Sequence, residues 1–283
     1  SRLPENLSFD EGAALLAATG TAHHALRQKA NLKENETLVV LGAAGGTGSA
    51  AVQIGKAIGA RVIAACSSDS KLDFAKSLGA DECINYSKED LRTSIKNLTN
   101  GKGADVIYDT IGGDAFDAST RAITWNGRLL VVGFASGRIP QFPVNLALVK
   151  GFSIVGVFWG TFIEAEPELY ENNRIELQQW LINDIVKPKV NQRFHLENCV
   201  DALKNDLGID VHLFDESKLF FSRLKGVIDP EQKRKIIGDQ FIKSFDRIAG
   251  EFGNYKFLGQ GTLYPDIIES GVSASKSAHV IKS

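Results

Sequence analysis

The residues of this chain best suited to chemistry are small ones at close spacing. Gly42, Gly45, Gly46 and Gly48 fall within the run Gly42-Ala43-Ala44-Gly45-Gly46-Thr47-Gly48, which follows the apolar segment Thr37 to Leu41 and precedes an Ala-rich stretch. Without β-carbons, Gly45 and Gly46 let backbone approach a pyrophosphate, and Gly48 lets the following helix pack on the preceding strand. A helix that begins there adds unpaired N–H groups and a partial positive charge. A Gly-rich run alone is equally the sign of a plain turn; the strand before it and the helix after it are what point to a dinucleotide.

A second cluster concerns which dinucleotide. In an NAD site an acid about 20 residues past the loop holds the ribose 2′-hydroxyl. Here the next strand ends Ala64-Ala65-Cys66-Ser67-Ser68, with no acid at its tip. Ser67 and Ser68 offer hydroxyls and Lys71 a charge, a set suited to a 2′-phosphate, so NADPH is the expected cofactor. Asp69 stands close enough to play the NAD-type acid if the strand runs longer, and Ser68-Asp69-Ser70 also reads as an ordinary helix cap.

Elements must hold these residues in place, and the pattern along the chain supplies them. Ser8-Phe9-Asp10-Glu11 is a capping box that predicts a helix over 8–18, with a second helix from Thr21 after a break at Gly20. The spacing then predicts strand 37–41, helix 46–58, strand 61–65, helix 70–78, strand 82–85 and helix 88–98. It continues with strand 105–109, helix 116–124 and strands 128–134 and 153–158. Short apolar strands alternating with amphipathic helices predict an α/β, doubly wound parallel sheet of the Rossmann type over 1–204. Past that point, over 205–283, a smaller C-terminal α/β segment is expected: a strand 211–214, a helix opening at Asp229-Pro230 and running to 252, and a strand 255–258.

Composition narrows the class of function. The chain is 43% hydrophobic and 23% charged, enough apolar material for a core, and its net charge of -2 gives no electrostatic reason to bind nucleic acid or an anionic membrane. Cys66, Cys83 and Cys199 lie far apart, so neither a disulfide framework nor a metal site is indicated. Without an apolar run of membrane-spanning length or signal-peptide regions at the start, the chain is expected to be soluble and cytoplasmic. It contains no methionine, which fits a processed product, an internal fragment or an engineered sequence.

Residues 1 to about 203 resemble the cofactor-binding half of a zinc-independent quinone oxidoreductase of the medium-chain dehydrogenase/reductase superfamily. The resemblance rests on Thr19-Gly20-Thr21-Ala22, the Gly42 to Gly48 loop, Leu78-Gly79-Ala80-Asp81, Asp105 to Asp109 with Gly112-Gly113, Gly127 to Ser136, and Val157-Phe158-Trp159-Gly160. It implies that Gly46 and Thr47 contact the pyrophosphate, that Ser67, Lys71 and Tyr86 hold the 2′-phosphate, and that Gly133, Phe134 and Phe158 lie near the nicotinamide. It further implies direct hydride transfer to a quinone or similar enone, with no catalytic acid or base to name; His23, His24 and His195 are read as structural or surface residues.

Two departures bear on function. The resemblance implies a GroES-like substrate domain at the start of family members, which this sequence is expected largely to lack; the acceptor would then be unpositioned and water admitted. Residues 207–283 resemble part of the ATP-pyrophosphatase region of GMP synthase, through 224–238, 260–270 and 279–283, but without its pyrophosphate loop. Lys282 resembles a substrate-contacting lysine of that family, but a solvated lysine in a loose tail is the expected reading. The expected readings are therefore an NADPH-dependent quinone reductase, a nucleotide-binding module without turnover, or an inactive GMP synthase fragment. Its expected partners are a small quinone-like molecule and a second copy, paired through the apolar edge strand 153–158.

Overall fold

The computed structural model describes residues 7–190, 193–195, 198–205 and 211–252. The chain divides into two compact units, Ser1–Arg193 and Phe194–Ser283.

The first unit is built on a six-stranded sheet: β1 (Thr37–Leu41), β2 (Arg61–Cys66), β3 (Glu82–Asn85), β4 (Ala104–Asp109), β5 (Ile123–Val131) and β6 (Ser153–Gly156). Their order is β3-β2-β1-β4-β5-β6 and every pairing is parallel. Chain order reverses between β1 and β4, and the ends of those strands frame the crevice where open α/β sheets bind ligands. Helices α2 (Gly46–Ile58), α3 (Asp69–Ser77), α4 (Leu91–Leu98) and α5 (Gly113–Ser119) connect the strands. Both sheet faces are covered. Leu38 and Val40 of β1 enter one core cluster while Val39 and Leu41 enter the other, so the strand is apolar throughout rather than alternating.

Several expected boundaries move. The break at Gly20 does not form; α1 runs from Phe9 to His24 and continues as a π-helical turn over Ala25–Lys29. Gly20 serves packing instead, because a β-carbon there would stand 2.8 Å from the Trp159 indole. The expected helix 116–124 is α5, which ends at Ser119, and β5 begins at Ile123 rather than 128. Asn126 takes φ +58 within β5, beside a register shift between Ala104 and Val106 of its partner strand; this irregularity is what a strand pattern read from Arg128 onward misses. Three further helices were not anticipated: α6 (Asn145–Lys150), α7 (Trp159–Ala165) and α8 (Pro167–Ile182). The last closes against α1, where the Glu176 carboxylate accepts from both His23 and Arg27, and Gln28 and Asn173 exchange amide hydrogen bonds.

In the second unit the described elements are helices: α9 (Cys199–Asn205), α10 (Ser217–Leu224) and α11 (Pro230–Phe252). Asp229 caps α11, accepting from the Gln232 N–H at 2.7 Å ahead of Pro230, as the Asp-Pro pair predicts. Glu216 ties α10 to α11 by accepting from Ser244 and Arg247. The expected strand 211–214 does not form, having no partner strand among the described residues. The expected strand 255–258 and Lys282 lie outside the described residues. None of the described helices is long and apolar enough to cross a membrane.

Candidate functional site

The phosphate loop leaves β1 at Leu41. Gly42 turns it with φ +70 and is pinned by its N–H to Ala65 O at 2.9 Å, while its carbonyl accepts from Gly45 N–H. Gly45 caps α2 without a side chain, and both Gly45 and Gly46 are exposed. At Gly48 the packing is closest, since a β-carbon would lie 2.2 Å from Gly42 O. Loop, first turn of α2 and β1 are thereby locked together, with the helix N-terminus open to an anion.

Beside it, β2 ends at Cys66, one residue later than expected. The Lys71 ammonium reaches Ser67 Oγ at 3.4 Å, and the Tyr86 hydroxyl also faces Ser67; burial pushes the Tyr86 phenol up. Tyr86 arrives from the end of β3, its N–H donating to Cys66 O. Ser68 caps α3 with extended backbone and touches Ser70 rather than a helix N–H. Asp69 is paired with other residues. Its carboxylate accepts from Lys88 at 2.5 Å and Asn85 at 2.6 Å, and the Lys88 ammonium holds it below the usual carboxylate range. The structure thus gathers Ser67, Lys71 and Tyr86 and engages the neighbouring acid elsewhere.

The third part lies at the crevice between β1 and β4 and along the ends of β5 and β6. Buried Asp109 accepts from the Ile111 and Gly112 N–H groups, and burial raises its pKa. Thr110 donates to Leu41 O, tying the end of β4 to the phosphate loop. Gly133 lies against Thr110, where a β-carbon would meet its carbonyl at 3.3 Å. Phe134 and Phe158, 40% and 74% exposed, line a cleft of about 590 Å³ with His24, Thr161 and Phe162. Neither phenylalanine is core packing. A separate apolar cavity of about 300 Å³ opens between α1, α7 and α8, away from the loop.

Sequence reasoning missed His24 and Phe162 in the cleft, and Tyr108, Asp109 and Thr110 beside the loop. The histidine stacks on Phe162 at 3.8 Å, and burial lowers its pKa and that of His23. His195 is exposed. Only the run Asp105 to Asp109, read as a strand, carried a signal for the residues beside the loop.

Residues 46–173 match the family model described as zinc-binding dehydrogenase. The chain is 38% identical over 205 residues to a quinone oxidoreductase-like protein 2 homolog of Nematostella vectensis, covering 72% of this chain and 56% of that protein. It spans a little over half the length of such relatives. The crystal structure of Escherichia coli quinone oxidoreductase complexed with NADPH superposes with a TM-score of 0.61 at 29% identity, covering 67% of this chain and 58% of that one. A further stretch of 87 residues is 49% identical to a glutamine-hydrolysing GMP synthase of Teredinibacter turnerae, 31% of this chain and 17% of the synthase. Among the described residues no three His, Cys, Asp or Glu side chains gather where they would hold a metal ion.

Proposed function

We propose, from the premise that this chain carries a quinone oxidoreductase-like region of the medium-chain dehydrogenase/reductase superfamily, that it binds NADPH in preference to NADH and serves zinc-independent reduction of a quinone or similar enone. The observation that carries the cofactor choice is the cluster of Ser67, Lys71 and Tyr86 at the tip of β2, with the Asp69 carboxylate paired with Lys88 and Asn85. A 2′-phosphate there meets two hydroxyls and an ammonium, and no unpaired carboxylate repels it.

The chain's own residues divide the work. Gly45, Gly46, Thr47 and Gly48 hold the pyrophosphate at the start of α2, with Ser68 at the rim of the adenosine side. Gly133 lets the ring end approach backbone, and Phe134 and Phe158 give it an apolar surface in the cleft. NADPH when bound supplies the hydride. The cleft lies open on the side of Phe158, and an acceptor needs that side covered for water to be excluded.

A second reading is a nucleotide-binding module without turnover. A third reading, a GMP synthase-like segment, rests on the 87-residue match at 49% identity. Calorimetric titration with NADPH and separately with NADH, followed by a quinone-dependent oxidation assay, separates the readings. Tight NADPH-preferring binding with turnover supports the first, and binding without turnover the second. Binding of neither dinucleotide refutes both.

A further inference from the structure

We infer that Tyr108 is a positioning residue for the phosphate loop, its hydroxyl orienting the Thr47 hydroxyl toward the pyrophosphate. The inference rests on the dinucleotide reading and deepens it by assigning a residue beneath the loop. Tyr108 sits on β4, opposite Val40 of β1, and is among the largest fully buried side chains of the molecule. Its ring belongs to the core cluster that includes Ala43 of the loop and Ala50 and Ala51 of α2; these small side chains leave the ring room under the first turns of the helix. The hydroxyl lies beside the Thr47 side chain, without a well-formed hydrogen bond to it.

A buried hydroxyl without a partner is unfavourable, and phenylalanine would fill the same space without that cost. The direction of donation explains what the hydroxyl does. Each hydroxyl has one proton to give and can accept. When Tyr108 donates to Thr47 Oγ1, the Thr47 proton is left to point outward, at a phosphate oxygen that can only accept. Both hydroxyls are then satisfied, and the two bonds strengthen one another in a water-poor site. The opposite order leaves the Tyr108 proton without an acceptor and presents only Thr47 lone pairs to the anion. Ligand binding therefore selects one order and closes the bond left open in the free chain.

The test is calorimetric titration of the full chain, as wild type, Tyr108→Phe, Thr47→Val and the double variant, with NADPH and with 2′-AMP, which lacks the pyrophosphate. Tyr108→Phe is expected to weaken NADPH about fivefold, from the loss of one hydrogen bond in the relay. It should leave 2′-AMP affinity unchanged, hold or raise Tm in the absence of ligand, and add no further loss to Thr47→Val. Equal NADPH affinity in wild type and Tyr108→Phe, parallel loss for 2′-AMP, additive losses in the double variant, or a marked drop in Tm would each overturn this inference alone. Absence of NADPH and 2′-AMP binding by the wild type would overturn the dinucleotide reading and this one with it.

Discussion

Alanine at Gly48 should damage both the fold and the cofactor site, and the structure gives the scale. The added β-carbon would stand 2.2 Å from Gly42 O, 2.8 Å from Gly42 C and 3.0 Å from Ala43 Cα, all backbone atoms with no rotamer to change. A relief of about 1 Å is needed to reach ordinary contact. Gly42 cannot supply it freely, because its N–H is bonded to Ala65 O and its carbonyl accepts from Gly45 N–H. Thr110 blocks it from the other side, 2.6 Å from where a Gly42 β-carbon would sit. Overpacking of this kind costs about 1–3 kcal/mol, and losing the Gly45 to Gly42 hydrogen bond adds about 1 kcal/mol. The better helix propensity of alanine returns about 1 kcal/mol. The net, about 1–3 kcal/mol, lowers Tm by roughly 2–12 °C for a unit of this size. Because the displaced atoms are those that approach the pyrophosphate, NADPH affinity should fall at least about tenfold. Gly46→Ala is the control, since its β-carbon would meet only the Ala18 Cβ, at 3.8 Å, and its Tm should hold. Thermal unfolding with and without NADPH reads both effects. A Gly48→Ala variant with wild-type Tm and wild-type affinity would refute the close-packing argument.

Further outcomes follow from other parts of the site. Lys71→Ala should weaken NADPH about tenfold while leaving NADH unchanged, through loss of one charge-assisted contact; equal effects on the two in calorimetry would remove Lys71 from the 2′-phosphate. His23 and His24 are held neutral chiefly by burial, their pKa values lowered in the fold, whereas an unfolded imidazole titrates near about 6.5. The unfolded chain therefore takes up protons first, so their contribution to stability is complete above that pH and is lost as pH falls through the folded values. Melting curves from pH 7.5 to 5.5 should show falling Tm, flattened in His24→Gln; a pH-independent Tm would contradict the assignment. The open edge of β6, with Ile154 36% exposed, should pair with a second copy. Light scattering at micromolar concentration should then give a dimer mass that Ile154→Asp reduces to a monomer, and a monomeric wild type would reject the pairing.

The sequence by itself determined the elements whose signals are local. The run Thr37 to Leu41, the glycines from Gly42 to Gly48 and the following helix form one continuous unit, and continuous hydrophobicity with glycine spacing is enough to read it. The Ser8 to Glu11 capping box and the Asp229-Pro230 helix start were legible for the same reason. Only the tertiary structure decided what depends on residues distant in the chain. Gly20 looks like a helix breaker until Trp159 is seen packed against it, and the fate of Asp69 depends on Lys88 and Asn85, which arrive with β3 and the turn after it. Val211 to Phe214 has strand-forming composition, yet the described residues hold no strand there. Tyr108 reads as one more residue of a buried strand; its hydroxyl acquires meaning only because parallel pairing of β4 with β1 sets it beneath Thr47, 61 positions away in the chain. Periodicity records which way a side chain faces, whereas the group it meets there is chosen by the packing of segments that the chain itself keeps far apart.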